Sequence, residues 1–398
     1  MAESPMPEAA MQHPARRPAH DVAHAPAVHP HSVWMFYRMH ILGAALPLAG
    51  GLMLYGWRAL VACALVLLGC AAGMLIWRRV GHRGQEVRLP QGLWLALLLA
   101  MTLPAHLAVD ALPGTAPGAM VWLVLPGAGL LLAALMWLLG GLSVHPVLAS
   151  YLLLVSILGS LMTPHWVLFS DRLLVGDLSR VWAEPITPGA TDGWAQLRSD
   201  GASDAMFVRQ TASAVLNWSP ALGAAGRTRV TLDDLPPLED LVVGGHPVPI
   251  GCGSAVAVIV GGLFLIYRGL TDARIPVVTV LSMAAGLAIL PLPYALGESP
   301  LRWYPLLAAG ADAATAITFV NYQLMASPAL FMALFLATSP AVRPMARRAR
   351  VLFAVVLGLM TAACQLYLSV AHGPYIALLA TSLLTPLLDR WWRHSALI

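Results

Sequence analysis

Lysine is absent from this 398-residue chain, and charge of either sign is scarce. Its 23 arginines and 19 acidic residues make up 11% of the sequence, against about 25% in an ordinary soluble domain. With 59% hydrophobic residues, that scarcity excludes both a soluble enzyme of this size and a disordered chain. The formal charge of +4 rests on a few arginine clusters rather than on a continuous basic surface, so no nucleic-acid partner is implied. Cysteine is scarce too. Cys63, Cys70, Cys252 and Cys364 have neither Cys-x-x-Cys nor Cys-x-x-Cys-His spacing, which argues against a zinc site, an iron–sulfur site and a c-type haem attachment. Any redox cofactor must be held in another way.

Residues 1–33 lack apolar periodicity, and they lack the short apolar core and cleavage site of a signal peptide. Rich in Ala, Pro and His, they read as a disordered tail. The spacing of His13, His20, His24, His29 and His31 is too irregular to favour a metal site over a solvated run.

What is abundant is apolar sequence in stretches long enough to cross about 30 Å of hydrocarbon. They fall near 40–56, 59–77, 92–110, 120–139, 144–162, 253–268, 275–293, 323–339, 352–371 and 374–390. In the first, Pro47 and Gly50-Gly51 predict a broken backbone, which at membrane depth needs protein or a cavity beside it. Small residues in 251–262 predict close helix packing.

Arginine placement orients the spans, because cytoplasmic loops carry the basic excess. Arg78, Arg79, Arg83 and Arg88 mark one such loop, and Arg343, Arg347, Arg348 and Arg350 another. Both termini are then cytoplasmic, and residues 163–252 lie on the opposite side. Arg268 and Arg274 mark a further cytoplasmic turn, so an even number of crossings separates Arg274 from Arg343. Three apolar blocks occupy that interval. We assign 305–321, which contains Asp312, to a re-entrant or interfacial segment, since an unpaired carboxylate at mid-bilayer is costly.

Residues 163–252 carry ten acidic residues against six arginines, a net charge of −4. A polar stretch of this length is more than a connector. Within it, EPITPGATDGW (184–194) reads as a turn: Gly189 permits a tight bend, Ala190 leaves space, and Thr191 presents a hydroxyl.

Elsewhere the polar residues favour structural roles. His106, His145, His165, His246 and His372 lie in or near span ends, where hydrogen-bonded caps are the expectation over b-type haem ligands. Asp110, Asp272, Glu298 and Asp389 fall at span ends; Asp312, the one deep candidate for an ion path, is better read as a helix cap or a partner of Arg302. Trp57, Trp77, Trp166, Trp303, Trp391 and Trp392 sit where interfacial anchors belong.

Several segments, in order, resemble one membrane family, which comprises the D-type membrane protein of the Rnf electron-transport complex and the B-type membrane protein of the sodium-translocating NADH:quinone reductase. They are ALPLAGGLMLYGWRAL (45–60), GGLSVHPVLASYLLL (140–154) with Met162, Thr163 and Trp166 after it, VGGHPVPIGCGSAVAVIVGGLFLIYRGLTDARIP (243–276), ALFLATSPAVRP (333–344) and LLTPLLDRW (383–391). The chain departs from the family pattern in placing Pro188 where Ser is usual, with Thr187 before it, and Glu184 near the usual Asp. It also has Cys252 for a glutamate, Ser339 for Asp in Ala-Thr-Asp-Pro, and His145 and Val147 in Asn-Pro-Phe-Asn-Pro.

The resemblance implies an all-α polytopic membrane protein of about ten transmembrane helices in two five-helix halves, 34–162 and 253–398, joined by the long extracytoplasmic loop. It implies an FMN held through its phosphate as an ester on Thr191, with Thr187, Gly189 and Ala190 in the turn before it, and it leaves room for a second, noncovalent flavin. A flavin transferase would load the cofactor, and flavin or iron–sulfur subunits would exchange electrons with it. The chain would then relay electrons inside an oxidoreductase complex of the bacterial inner membrane, with the loop periplasmic, rather than act as a catalyst alone. Coupling to Na⁺ or H⁺ comes with the resemblance, not with any residue of this chain. A small-solute transporter or channel, or a structural scaffold, is the alternative for a member without the flavin.

Overall fold

The structure, a computed structural model, describes residues 30–80, 89–108, 120–139, 144–162, 242–243, 248–296, 299–303 and 313–394. In chain order the long elements are α1 (Pro30–Tyr55), α2 (Trp57–Val80), α3 (Leu89–Thr102), α4 (Leu125–Leu138), α5 (Pro146–Leu158), α6 (Ala255–Tyr267), α7 (Arg274–Ile289), β1 (Leu292–Leu296), β2 (Ser299–Trp303), α8 (Ala313–Met325), α9 (Ala329–Phe331), α10 (Arg347–Tyr367), α11 (Gly373–Ser382) and α12 (Thr385–His394). A π-turn, Met120–Val124, leads into α4, and another, Met332–Leu336, extends α9. The architecture is helical, as expected. It also contains an antiparallel hairpin, β1–β2, with Leu292 opposite Trp303 and Leu296 opposite Ser299.

Two of the described helices, over Arg58–Arg79 and Arg347–Tyr367, are both long and apolar enough to cross a bilayer unaided. Five shorter apolar helices accompany them, and the segments Phe319–Met325 and Ala329–Leu336 meet at 65° as one bent pair.

Three expectations are corrected. The backbone of α1 stays helical through Pro47 and Gly50-Gly51. A proline costs the helix one N–H bond, whereas the two glycines admit neighbours: a Cβ on Gly50 would lie 3.2 Å from that of Ala257, and one on Gly51 would collide with the Ile250 carbonyl. Next, the blocks 305–321 and 323–339 do not divide where hydropathy divides them. Helix α8 runs across that boundary, and the bend falls at Ala326–Pro328 because Pro328 supplies no N–H. Asp312 lies outside the described residues. Finally, the block 374–390 is two helices separated at Leu383–Leu384.

The close contacts occur twice. Helices α2 and α4 run parallel, and a Cβ on Gly129 would strike the Val66 carbonyl and the Cys70 N–H, beside Gly69. Helices α7 and α10 repeat this at a constant offset: Gly358 meets the Thr279 carbonyl, Ser282 and the Met283 N–H. Gly73 packs on Leu130 and Ala133, where an added Cβ would lie 2.6 Å from that of Ala133, and Gly286 packs on Leu359 and Ala362, where an added Cβ would lie 2.8 Å from that of Ala362. Residues 66, 69, 70 and 73 thus correspond to 279, 282, 283 and 286, and 129, 130 and 133 to 358, 359 and 362. The breaks match as well, Met101-Thr102-Leu103-Pro104-Ala105 after α3 against Met325-Ala326-Ser327-Pro328-Ala329 between α8 and α9.

The two copies face each other across α1 and α6. Gly50 meets Ser254 and Ala257, while Gly261 meets Gly43 and Pro47; Gly43 meets Leu265, while Gly253 meets Leu54. Contacts rise along one helix as they fall along the other, so the pair is antiparallel. Gly50–Ser254 has its reciprocal in Gly261–Gly43 and the other contacts match to within one residue, the pattern that a two-fold axis across the helices produces. Gly56, at φ 61°, makes the sharp α1–α2 turn.

Gly129→Val and Gly358→Val should each lower the melting temperature of the detergent-solubilised protein, at a cost of about 1–3 kcal/mol. Gly127→Ala, where a Cβ meets nothing within 4 Å, should leave it unchanged or slightly raised. Equal melting temperatures for all three would refute this packing.

Candidate functional site

Thr187, Gly189, Ala190 and Thr191 lie outside the described residues, as do His165 and His246. What is described is the point where the long polar stretch rejoins the helices. Its last residues thread between α1 and the break after α3. Tyr55 holds Val248 from both sides, its hydroxyl donating to the carbonyl at 2.8 Å and accepting the N–H at 3.2 Å. Ile250 donates its N–H to the Leu103 carbonyl at 3.0 Å, so the end of α3 before Pro104 frees the acceptor that anchors this segment. Gly251 is needed because a Cβ there would sit 2.6 Å from that of Met101. Ser254 then caps α6, accepting the Ala257 N–H at 3.4 Å.

Beside this root lies a buried polar cluster drawn from both copies. The Tyr151 hydroxyl on α5 and Nδ1 of His372 are 2.8 Å apart. The Tyr151 and Tyr375 rings pack edge to face at 4.6 Å, and the Tyr375 hydroxyl lies 3.8 Å from Cys252 Sγ. His372 precedes Gly373-Pro374 and His145 precedes Pro146, so each occupies the residue before a helix with proline in its first two positions. The expectation of hydrogen-bonded histidine caps therefore holds only in position. Neither side chain bonds the helix end it precedes. His372 bonds Tyr151 instead, and His145, fully buried, has no partner for either ring nitrogen among the described residues. No group of three or more His, Cys, Asp or Glu forms a metal site among the described residues. The cluster is a set of hydrogen-bonding and aromatic side chains; its chemistry is to fix the root of the polar segment against the junction of the copies.

The opposite end is basic. Arg350 donates Nη1 to Asp272 Oδ2 at 2.9 Å, Nε to the Pro344 carbonyl at 2.9 Å and Nη2 to the Met345 carbonyl at 3.0 Å. Asp272 Oδ1 also accepts the Arg274 N–H at 3.1 Å, and Asp389 accepts the Met345 N–H at 2.8 Å. Burial pushes the Asp272 carboxyl up, but the hydrogen bonds from Arg350 and Arg274 and the charges of both arginines outweigh it and hold the group below its ordinary value. Since Arg268 reaches Met39 and α2 returns antiparallel to α1, the arginines at 38, 78–79, 268–274 and 343–350 share one end. The root of the polar segment is at the other.

A family model described as the NQR2, RnfD, RnfE family matches residues 21–397. The chain is 26% identical over 381 residues to the D-type component of the ion-translocating oxidoreductase complex of Halorhodospira halophila, covering 92% of this chain and 91% of that protein. It is 28% identical over 176 residues to the D-type component of the Na⁺-translocating ferredoxin:NAD⁺ oxidoreductase complex of Acetobacterium woodii, 44% of this chain and 46% of that protein. It thus spans about half the length of this second relative.

Tyr151→Phe removes the hydroxyl facing His372 and should cost about 1–3 kcal/mol of stability, read as a lower melting temperature. Asp272→Asn should cost about 1–2 kcal/mol. The folded pKa of Asp272 lies below the unfolded one, so its contribution is complete above the unfolded value and lost as pH falls through the folded value, below about pH 4. Acid melting curves of wild type and Asp272→Asn should converge there.

Proposed function

The chain belongs to the NQR2, RnfD, RnfE family, and we propose that it is the D-type membrane component of an ion-translocating, Rnf-like oxidoreductase complex, relaying electrons through an FMN carried as a phosphoester on Thr191. The observation that carries this reading is the family match along nearly the whole chain, residues 21–397. The contents of the polar stretch support it: the Thr191 hydroxyl follows Gly189-Ala190 in the order that the resemblance requires.

Ten spans in two inverted halves are the membrane arrangement we infer. The duplicated α2–α4 and α7–α10 contacts and the reciprocal α1–α6 contact support it, because inverted repeats related by a two-fold axis in the membrane plane bring such pairs together. Parallel α7 and α10 also fit the even number of crossings between Arg274 and Arg343, with α8 and α9 together returning the chain once. The arginine-rich end is then cytoplasmic, in a bacterial inner membrane, and residues 163–252 are periplasmic.

When bound, FMN supplies an isoalloxazine that accepts and passes on electrons. This chain's residues tether and position it. Thr191 offers the hydroxyl for the phosphoester, and a glycine and an alanine before it keep the backbone open to a flavin transferase. Tyr55 and Leu103 moor the returning segment, so that the loop leaves the membrane domain from a fixed root. Partner flavin or iron–sulfur subunits would supply or remove the electrons. A second reading, a path for a small solute or ion between the halves, is favoured by the helix breaks after α3 and between α8 and α9, since discontinuous helices in inverted repeats often line such paths.

Denaturing gels of protein co-expressed with a flavin transferase should show a fluorescent flavin band that is lost in Thr191→Ala. A wild-type band without fluorescence would overturn the flavin reading and leave the path or scaffold in its place.

A further inference from the structure

Helices α2 and α4 end together, and at that end Trp77 and Trp137 stack with centroids 4.6 Å apart and planes 7° from parallel. Arg78 and Arg79 follow directly and are exposed. Neither makes an ion pair among the described residues, and α2 and α4 contain no acidic residue. Trp137 is 42% exposed, and Leu75 and Ile76 on α2 and Leu138 on α4 are exposed near the same helix ends, at 59%, 53% and 66%.

The duplication supplies an internal control. Contacts along α2–α4 are matched residue for residue along α7–α10 as far as Gly73 and Ala133. One turn further the match stops: at the same offsets Trp77 and Trp137 correspond to Leu290 and Leu366, and Arg78 and Arg79 to Pro291 and Leu292. The second pair packs equally closely without aromatic stack or charge, so helix packing does not demand them. They belong to the end of the molecule where they stand.

We propose that Trp77, Arg78, Arg79 and Trp137 form a binding site for the headgroup of an anionic phospholipid in the cytoplasmic leaflet. The exposed apolar side chains take an acyl chain, the indole stack sits at headgroup depth where amphipathic rings partition, and the two guanidinium groups take the phosphate in forked hydrogen bonds. Zwitterionic lipid carries its own cation and neutralises the arginines less well. The proposal rests on the membrane orientation given above.

The test is native mass spectrometry of the purified protein, incubated with equimolar phosphatidylglycerol and phosphatidylcholine of identical chains. Wild type should retain phosphatidylglycerol preferentially, and R78Q/R79Q should lose that preference by about thirtyfold, the scale of two surface arginines. W137L should weaken retention of both lipids, while R347Q/R348Q, at exposed arginines on another helix, should behave as wild type. Equal retention of both lipids by wild type, or an unchanged preference in R78Q/R79Q, would overturn the site. Loss of a protein component from the intact complex in R78Q/R79Q, with lipid retention unaltered, would overturn it in favour of a protein partner. Recovery of the chain in the soluble fraction after alkaline carbonate would instead overturn the membrane reading beneath it.

Discussion

The antiparallel contact of α1 with α6 is the constraint on which the rest of the described structure depends. Between helices that both face lipid there is little hydrophobic gain from association, so their affinity comes from dispersion at short range. Short range requires small residues. Gly43, Gly50 and Gly261 bring the backbones together, and the Gly43 carbonyl lies where a Cβ on Gly261 would fall, 2.5 Å away. The same glycine run passes the returning segment over α1, where Gly51 admits the Ile250 carbonyl. One set of small residues thus joins the two copies and seats the root of the polar stretch.

Because the copies are inverted, each end of the molecule is built from different ends of equivalent helices, and the ends can diverge without disturbing the shared packing. They have done so. One end gathers Tyr55, Tyr151, Cys252, His372 and Tyr375 around the root of the polar stretch; the other gathers arginines around Asp272 and Asp389. The histidines show the divergence on a small scale. Each precedes a helix with proline in its first two positions, yet His372 meets the Tyr151 hydroxyl while His145 meets no polar partner among the described residues.

Much of this was legible in the residues. Arginine clusters separated the ends of the molecule, and most apolar blocks became helices within a few residues of their expected limits. The failures have physical causes. Hydropathy cannot distinguish a helix boundary from a bend within an apolar run, so the boundary expected between 321 and 323 falls inside α8. Pro47 and its glycines carry the composition of a break, but a buried proline inside a long, packed helix is tolerated. The duplication left traces, such as Gly-Gly-Leu-x-Leu at 50–54 and 261–265 and Gly-Leu-x-x-Ala-Ala at 129–134 and 358–363. Their offsets differ because the connections differ in length, which hides the repeat from a fixed-period search.

Composition and charge order by themselves determined that this is an apolar helical chain with a basic end and one long polar excursion, because burial preference and charge placement act residue by residue. The motif order that carries the resemblance likewise needed no coordinates. Which residues meet was decided only in three dimensions. Tyr55, Tyr151, Cys252 and the His372–Tyr375 helix start come from four separate places in the chain, and nothing local to any of these places specifies the others. Their meeting follows from a two-fold contact between glycine-lined helices, and that contact is a property of shape, felt only when backbones come within a few ångströms of each other.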